Sequence, residues 1–324
     1  MRAGWTILLI GLLAATSGCS FSRFSTLYVV GTPIADLREK PQAPPTSRRQ
    51  DPDQATQLLY GERVRFIRTK GDWSCVEAVE QREYTHRHRW EGYFGWILSR
   101  VLQPLPPHFA PNAIITQRWT TIWKDEQART AWFQVPMGTR LDVVTGQGPL
   151  WRVRMVSGST GWVSRGDLQL LEECSRLSDH ARRLAVIHAA EQLLGDPYFW
   201  GGRSPSSDST SMGVTGVDCS GLVNLSYRTA GIDIPRDAHE QYLRARPITH
   251  VEPGDLVFLS DAEEANTISH VMLYAGDGWL IEAPGTGQQV RRIEVSKRLG
   301  RPIAYVKPGS KTAGRTVYFG AYLP

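Results

Sequence analysis

Three side chains in the C-terminal part of the sequence have the types and the spacing of a thiol-based catalytic site. Cys219 stands at the start of a segment predicted to be helical, where unpaired backbone amides and the helix dipole favour a thiolate. His270 begins a predicted strand, and Glu282 ends the next one. A hairpin of these strands would bring the carboxylate beside the imidazole, which could then act as the base for the thiol. The pattern predicts a nucleophile, a base and an orienting group.

Other roles for these residues have to be weighed against catalysis. A single cysteine is more often a small buried apolar residue than a nucleophile. Zinc binding is the competing chemistry, but no second Cys or His stands at ligand spacing beside Cys219 or His270. We therefore expect no metal ion and no organic cofactor. Gly221, two residues after the thiol, is expected to let a substrate backbone approach.

The segments that carry these residues predict an α+β domain over residues 174–324. Apolar residues at helical spacing predict a first helix, and further helical sequence follows the thiol; β-rich runs come after both, as in α+β domains. The predicted elements are a helix over 179–194, a polar loop from Arg203 to Gly216, a helix over 219–230, and strands over 255–259, 270–274, 279–282 and 303–306.

Two β-rich segments, residues 27–105 and 112–171, precede this domain. Each consists of short runs with strand-like alternation between turn signals, and each contains a late Gly-Trp-(Ile/Val) sequence. We interpret them as a weak internal repeat of two small barrels. The Pro-rich stretch over residues 40–57 is predicted to be a long surface loop.

The first nineteen residues have the sequence of an export signal. A positive start and a short apolar run, Trp5 to Ala15, lead to Thr16-Ser17-Gly18-Cys19. The end of this segment resembles a bacterial lipoprotein box, in which Cys19 would carry lipid, although Thr16 stands where Leu is usual. The alternative is an ordinary signal peptide with an incidental cysteine.

The composition excludes several classes of protein. The 324 residues are 41% hydrophobic, which excludes a disordered chain, and the net charge of +5 comes without the basic stripe that nucleic-acid binding requires. No apolar run reaches the roughly 18 residues of a membrane span. Beyond Cys19 there remain three cysteines, Cys75, Cys174 and Cys219, so at least one thiol is expected to be free or to pair with another chain.

The ordered motifs of residues 196–305 resemble the NlpC-type cell-wall cysteine peptidases, a papain-like family. The resemblance rests on Pro197-Tyr198-Phe199-Trp200-Gly201-Gly202, Asp218-Cys219-Ser220-Gly221-Leu222-Val223, Gly231 to Asp237, Pro253 to Phe258, Ser269-His270-Val271 and Ile281-Glu282-Ala283-Pro284. It implies Cys219 as nucleophile, His270 as base, Glu282 in the third polar position and Tyr198 as a donor to the oxyanion. It also implies Trp200 as a substrate contact.

Both N-terminal segments resemble bacterial SH3-like domains, so the fold expected is two small all-β barrels followed by an α+β papain-like peptidase domain. The first segment is the closer match, through Ala35-Asp36-Leu37-Arg38, Leu59-Tyr60-Gly61-Glu62, Gly71-Asp72-Trp73 and Gly92-Tyr93-Phe94-Gly95-Trp96. The alternative is a pair of purely structural barrels with no binding role.

The pair Arg236-Asp237 resembles that of family members with attached SH3-like domains. The resemblance implies that Asp237, Glu62 and Tyr93 hold the free amine of an N-terminal L-alanine, while Asp218 and Ser220 contact the peptide. The substrates implied are L-Ala-γ-D-Glu-diamino-acid stem peptides of peptidoglycan, cut at the γ-D-Glu–diamino-acid bond through a thioester. The alternatives are a local surface ion pair for Arg236-Asp237 and simple packing for Tyr93.

Two features depart from the family pattern and keep other functions open. The third polar residue is most often His in the family, whereas here it is Glu282, and the loop from Arg203 to Gly216 is longer than usual. One alternative is a degenerate wall-binding lipoprotein, and another is a papain-like amidase or acyltransferase with a different acyl substrate. We expect an exported monomer of the cell envelope or periplasm that meets a membrane only through lipid on Cys19, and no nucleic-acid partner.

Overall fold

The computed structural model of the chain describes residues 26–44, 51–207, 215–264 and 266–324. The predicted signal segment with Cys19 lies outside the described residues. So does the middle of the Pro-rich stretch that was predicted to be a long surface loop, residues 45–50. Within the described ranges no helix combines the length and the apolar character needed to cross a membrane. Cys75, Cys174 and Cys219 are free thiols.

The first N-terminal body is one antiparallel sheet of seven strands in the order β3-β2-β6-β5-β4-β1-β7. Its strands are β1 (Leu27–Val30), β2 (Ile34–Arg38), β3 (Gln54–Leu59), β4 (Arg63–Lys70), β5 (Trp73–Glu83), β6 (Glu91–Leu98) and β7 (Leu102–Pro104). The Pro-rich stretch was expected to be a loop throughout, but its last four residues begin β3, every residue of which is buried. That surface-loop prediction is wrong for this part because the strand packs between its own sheet and the C-terminal domain.

The second body is also a seven-stranded antiparallel sheet, in the order β10-β9-β13-β12-β11-β8-β14. Its strands are β8 (Ala113–Ile115), β9 (Trp119–Trp123), β10 (Ala131–Pro136), β11 (Arg140–Thr145), β12 (Leu150–Arg154), β13 (Thr160–Ser164) and β14 (Leu168–Leu170). In β9 the buried Thr120 and Ile122 alternate with half-buried neighbours, as a strand with one covered face requires.

The internal repeat is visible in the topology of the two sheets. Counted within each body, the strands follow the same order: third, second, sixth, fifth, fourth, first, seventh. In each sheet, the first and last strands of the order do not pair with each other within the described residues. Neither sheet therefore closes into a barrel by strand pairing in these ranges. The assignment of the two bodies to SH3-like barrels therefore stays a prediction.

The C-terminal region has the expected α+β composition. Its helices are α1 (Leu171–Arg176), α2 (Asp179–Glu191), α3 (Cys219–Thr229), α4 (Ala238–Arg244) and α5 (Val295–Leu299). Its strands are β15 (Arg203–Ser204), β16 (Gly216–Val217), β17 (Arg246–Pro247), β18 (Leu256–Ser260), β19 (Ile268–Gly276), β20 (Trp279–Glu282), β21 (Arg291–Glu294), β22 (Lys311–Thr312) and β23 (Arg315–Ala321).

The main sheet of this region has the order β17-β23-β18-β19-β20-β21. The predicted strand over residues 303–306 is wrong: Ile303–Tyr305 forms a single 3-10 turn. Sequence reasoning missed several strands, and one of them, β23, pairs antiparallel with β18. Helix α3 packs between α2 and the sheet, and its Leu222, Val223 and Leu225 are fully buried.

Buried ion pairs join the N-terminal bodies to the C-terminal region. Arg203 donates from Nη1 to Glu62 Oε1 at 2.7 Å, and each side chain is only 1% exposed. Arg228 in α3 binds Glu80 of the first sheet at 2.9 Å and the Gly138 carbonyl of the second at 2.9 Å. Because buried charges are tolerated only when they are paired, these contacts fix how the three bodies meet.

This arrangement predicts that Glu62 is a determinant of stability. Glu62→Ala leaves Arg203 without its carboxylate and should lower the free energy of unfolding by about 3–5 kcal/mol, the usual cost of breaking a buried ion pair. The measurement is urea denaturation followed by tryptophan fluorescence. The control is Glu172→Ala, which breaks an exposed pair with Arg176 and should cost about 0–1 kcal/mol. Equal effects of the two substitutions would contradict the structural role of Glu62.

Candidate active site

Cys219 is the first residue of α3, at the loop-to-helix junction that the sequence predicted. Asp218 is the N-cap, and one of its carboxylate oxygens accepts from the Gly221 backbone N–H at 2.6 Å. A Cβ on Gly221 would lie 2.0 Å from the Gly202 carbonyl oxygen. The missing side chain therefore lets the Gly202 loop pack against the helix. The expectation that Gly221 makes room for a substrate backbone is wrong on this geometry.

Arg236 organises the residues around the helix start. Its guanidinium is 0% exposed and donates to both carboxylate oxygens of Asp218, at 3.1 and 2.8 Å. It also donates to Ser220 Oγ at 2.9 Å and, across to the first sheet, to Thr56 Oγ1 at 2.7 Å. Asp218 and Ser220 are thus held by protein groups. Their predicted contact with the peptide stays a prediction.

The environment of Cys219 raises the pKa of its thiol to about 12, first through burial and then through the negative charge of Asp218. The backbone N–H groups of Val271 and Ser220 act in the opposite direction but are outweighed. The helix N-terminus therefore acts on the pKa in the expected direction, but burial and Asp218 outweigh it, and the expected net lowering is wrong. A neutral thiol needs a base close by, and the Val271 contact brings the strand of His270 to Cys219.

His270 and Glu282 form the hairpin pair that the sequence predicted. They lie on the neighbouring antiparallel strands β19 and β20, and His270 Nε2 lies 2.8 Å from Glu282 Oε2. The two residues are 5% and 0% exposed. Because Nε2 is engaged by the carboxylate, Nδ1 is the ring atom left for Cys219. Burial lowers the pKa of His270, and its bond to Glu282 opposes this effect.

Two arginines that the sequence did not suggest also bind Glu282. Arg291 Nη2 donates to its Oε1 at 2.7 Å, and Arg298 Nε donates to its Oε2 at 2.9 Å. Burial acts to raise the pKa of Glu282, but His270 and Arg298 together hold it at about 2. The carboxylate is therefore ionised at neutral pH. The charge of Arg298 also lowers the pKa of His270.

Tyr198 lies near the thiol and Trp200 at the surface. Burial and the negative charges of Asp218 and Cys219 hold the pKa of Tyr198 well above its usual value, so its hydroxyl keeps its proton at neutral pH. A protonated phenol can donate to a developing oxyanion. Trp200, two residues on, is 50% exposed.

Of the three residues predicted to bind an amine, the structure brings two together. The Tyr93 hydroxyl hydrogen-bonds Asp237, across the contact between the first sheet and the C-terminal region. Burial raises the pKa of Asp237 to about 6, although Arg236 opposes the effect. Glu62 is engaged by other groups: its two carboxylate oxygens accept from Arg203 and Gln81. It is part of the buried ion pairs described above.

The site and fold define a class: a half-buried thiol at a helix start, a buried His–carboxylate pair and an α+β domain are the parts of a cysteine peptidase. Comparison with known proteins gives the family. Residues 195–303 match the sequence model of the NlpC/P60 family. Residues 195–303 are therefore an NlpC/P60 domain, as the sequence predicted.

Two relatives are similar over most of their length. A gamma-D-glutamyl-L-lysine dipeptidyl-peptidase of Bacillus cereus (strain ATCC 10987 / NRS 248) is 27% identical, over 74% of this chain and 70% of its own. The enzyme of the same name from Bacillus subtilis (strain 168) is 26% identical, over 75% of this chain and 77% of its own.

A solved structure has a similar fold. The crystal structure of an NlpC/P60 family protein from Bacillus cereus ATCC 10987 matches with a TM-score of 0.71 at 23% identity. The match covers 92% of this chain and 100% of the other. The similarity therefore includes the N-terminal bodies as well as the peptidase domain.

The carboxylate and the arginines predict opposite changes in the pKa of His270. Arg298→Gln removes a nearby positive charge and should raise the pKa of the imidazole. Glu282→Gln removes the negative partner and should lower it further. The measurement is an NMR titration of the histidine ring signals, with His270→Gln used to assign the resonance.

The control for these titrations is Lys297→Gln, a neighbour on α5 whose partner is Glu294 rather than Glu282. It should leave the pKa of His270 where it is in the unsubstituted protein. Shifts of the same sign for Arg298→Gln and Glu282→Gln would contradict this electrostatic explanation. They would indicate that both substitutions change the pKa of His270 by disturbing the packing of the site, whichever charge is removed.

Proposed function

We propose that this protein is a cysteine endopeptidase of the cell envelope that hydrolyses the γ-D-Glu–diamino-acid bond of peptidoglycan stem peptides. The observation that carries the proposal is that the Cys219 thiol contacts the backbone of Val271, the residue after His270, whose ring is paired with the buried Glu282. The choice of bond is supported by the two relatives that are named gamma-D-glutamyl-L-lysine dipeptidyl-peptidases.

In the first half of the reaction, Cys219 Sγ attacks the γ-carbonyl carbon of D-glutamate while its proton passes to His270 Nδ1. The thiol is neutral at rest, so attack and proton transfer are coupled. The oxyanion that forms accepts a hydrogen bond from the Tyr198 hydroxyl. When the intermediate collapses, the C–N bond breaks, His270 gives its proton to the leaving amine, and a thioester remains on Cys219.

The second half regenerates the enzyme. A water molecule attacks the thioester carbonyl while His270 takes one of its protons, and the C–S bond breaks. The products are the γ-carboxylic acid of the L-Ala-D-Glu dipeptide and a free thiol, which recovers the proton from His270. Glu282 holds the imidazole in position and stabilises its charged form in both halves. A carboxylate in place of the family's usual His is therefore compatible with activity.

Asp237 and Tyr93 support a preference for peptides with a free N-terminus. The Asp237 side chain is 36% exposed, so a ligand can reach it, and Tyr93 adds a hydroxyl at the same point. An ammonium group of L-alanine would gain charge-assisted hydrogen bonds there. Stem peptides acquire that free amine only after they have been cut from the glycan strand. We assign the pocket to Asp237 and Tyr93 without Glu62, whose charge is used by Arg203.

The cellular setting is part of the same proposal. The signal-like start and the lipobox-like Cys19 fit an exported protein that is anchored by lipid in the envelope. The two N-terminal bodies fit SH3-like modules, of which the first closes the amine pocket through Tyr93. The exposed Trp200 fits a wall of the substrate cleft.

The proposed reaction predicts products that can be identified by mass. The protein and its Cys219→Ser variant are incubated with L-Ala-γ-D-Glu-meso-diaminopimelate and with the N-acetylated peptide, and the products are read by mass spectrometry. We expect L-Ala-D-Glu from the free-amine peptide with the unsubstituted protein alone. Full activity of Cys219→Ser would refute the mechanism. Cleavage of neither peptide would favour a wall-binding lipoprotein or another acyl substrate.

The amine pocket predicts a specific pH dependence. Only ionised Asp237 attracts an ammonium group, and its pKa is raised to about 6. The kcat/KM for the free-amine peptide should therefore fall as the pH is lowered through about 6, more steeply than for the N-acetylated peptide. Asp237→Asn should remove this difference and cost about 10- to 150-fold on the free-amine peptide, the equivalent of a charged hydrogen bond of about 1.5–3 kcal/mol.

The control for Asp237→Asn is Asp277→Asn. Asp277 is exposed at a turn with a φ of 49°, a conformation that asparagine also adopts. This variant should behave like the unsubstituted protein on both peptides. Equal losses on the free-amine and N-acetylated peptides for Asp237→Asn would count against the pocket while leaving the peptidase reaction intact.

A further inference from the structure

Arg315 lies beside the predicted catalytic base, on one of the strands that sequence reasoning missed. It is the first residue of β23, and its Nε donates to the Ser260 carbonyl at 2.6 Å. Its Nη2 donates to the Ser269 hydroxyl, and Ser269 directly precedes His270 on β19. Two contacts of the guanidinium with the ends of neighbouring strands thus hold it next to His270.

Arg315 differs from the two arginines that bind Glu282, because its guanidinium is not paired with a carboxylate of the described residues. Arg291 and Arg298 each bind that carboxylate, whereas Arg315 makes no ion pair in the part of the chain that the structure describes. The acidic side chain that attracts it is Asp261, which is half-buried and not in an ion pair with it. Since Nε and one N–H of Nη2 are engaged, the remaining donors of Nη1 and Nη2 are available to a ligand.

The proposed reaction indicates which part of the substrate lies near Arg315. His270 must protonate the leaving amine, so the nitrogen of the diamino acid sits beside His270, and the atoms beyond it extend past His270 on the side away from the acyl group. Arg315 is close enough to His270 for its charge to lower the pKa of the imidazole. It is also within electrostatic range of Cys219, whose charged form raises the pKa of Arg315.

We propose that Arg315 binds a carboxylate of the diamino acid on the leaving side of the scissile bond. The inference rests on the proposed function. A guanidinium with two free parallel N–H groups suits a carboxylate in bidentate geometry. Two groups of the substrate have this chemistry: the α-carboxylate at the end of a tripeptide, and the distal carboxylate of diaminopimelate, which lysine lacks. In either case the protein selects leaving groups that carry a negative charge beyond the amine.

The test measures binding, so that it does not depend on turnover. The Cys219→Ala protein, with and without Arg315→Gln, is titrated calorimetrically with four peptides. These are L-Ala-γ-D-Glu-L-Lys, L-Ala-γ-D-Glu-meso-diaminopimelate, and the same two peptides with the α-carboxylate converted to an amide. Arg315→Lys tests rescue by charge, and Arg301→Gln, at an exposed arginine, is the control for charge removal.

The two sources of the carboxylate give different results. If Arg315 holds the α-carboxylate, Arg315→Gln weakens binding of both free-acid peptides by about 10- to 150-fold and leaves both amides unchanged. If it holds the distal carboxylate, the loss is confined to the two diaminopimelate peptides. Arg315→Lys should recover part of the affinity in either case, and Arg301→Gln should change nothing.

Two results would overturn the inference. One is an unchanged affinity of Arg315→Gln for all four peptides, and the other is an equal loss for all four, including the amidated lysine peptide that lacks both carboxylates. Failure of the proposed function has a separate signature, because the protein with Cys219 intact would then leave every peptide uncut whatever residue stands at position 315. A thermal denaturation scan of each variant checks that the fold is retained.

Discussion

A buried guanidinium holds the catalytic end of this molecule together. Arg236 is 0% exposed, and an arginine cannot shed its charge, so every donor needs a partner inside the protein. The partners come from different elements: Asp218 at the start of α3, the Gly202 carbonyl, and Thr56 of the first sheet. One charge thereby fixes the helix that carries Cys219, the loop that follows Tyr198, and the position of the N-terminal body.

A second buried charge sets the properties of the base. Glu282 is 0% exposed and must be ionised to pair with His270, and Arg291 and Arg298 supply the positive charge that makes this possible. Arg298 also limits how basic His270 becomes, because its charge lowers the pKa of His270 while Glu282 raises it. The effect of the Glu282 carboxylate on the pKa of His270 is therefore partly offset by the nearby positive charge. The imidazole stays unprotonated near neutral pH and can accept the proton of a thiol with a raised pKa.

The residues within one motif were predictable, and the contacts between motifs were not. The order Asp218-Cys219 before a helix, and His270 and Glu282 on consecutive strands, predicted α3, β20 and the His–carboxylate pair correctly. Local sequence carries that information because helix starts and hairpins are formed by neighbouring residues. The raised pKa of Cys219 depends instead on burial by distant segments, which no local pattern records.

Other differences have the same origin. Glu62 has the sequence context of a binding residue, but Arg203, far away in the chain, occupies its carboxylate. Arg298 in α5 and Arg315 in β23 lie in segments without any motif. They contribute to the site only because the tertiary structure places them near Glu282 and His270. Gly221 was assigned to substrate approach, whereas the tertiary contact with Gly202 explains it. The repeat of the two N-terminal bodies was visible only weakly in the sequence but is plain in their common strand order.

The proposed reaction depends on the acylation of Cys219 by the γ-D-glutamyl part of a stem peptide. The most direct test is to quench the reaction of the protein with L-Ala-γ-D-Glu-meso-diaminopimelate in acid within its first turnover and to map the digested protein by mass spectrometry. We expect an L-Ala-γ-D-Glu acyl group on the peptide that contains Cys219, formed together with one equivalent of free diaminopimelate. Release of diaminopimelate with no adduct on Cys219, or with the adduct on another residue, would contradict it.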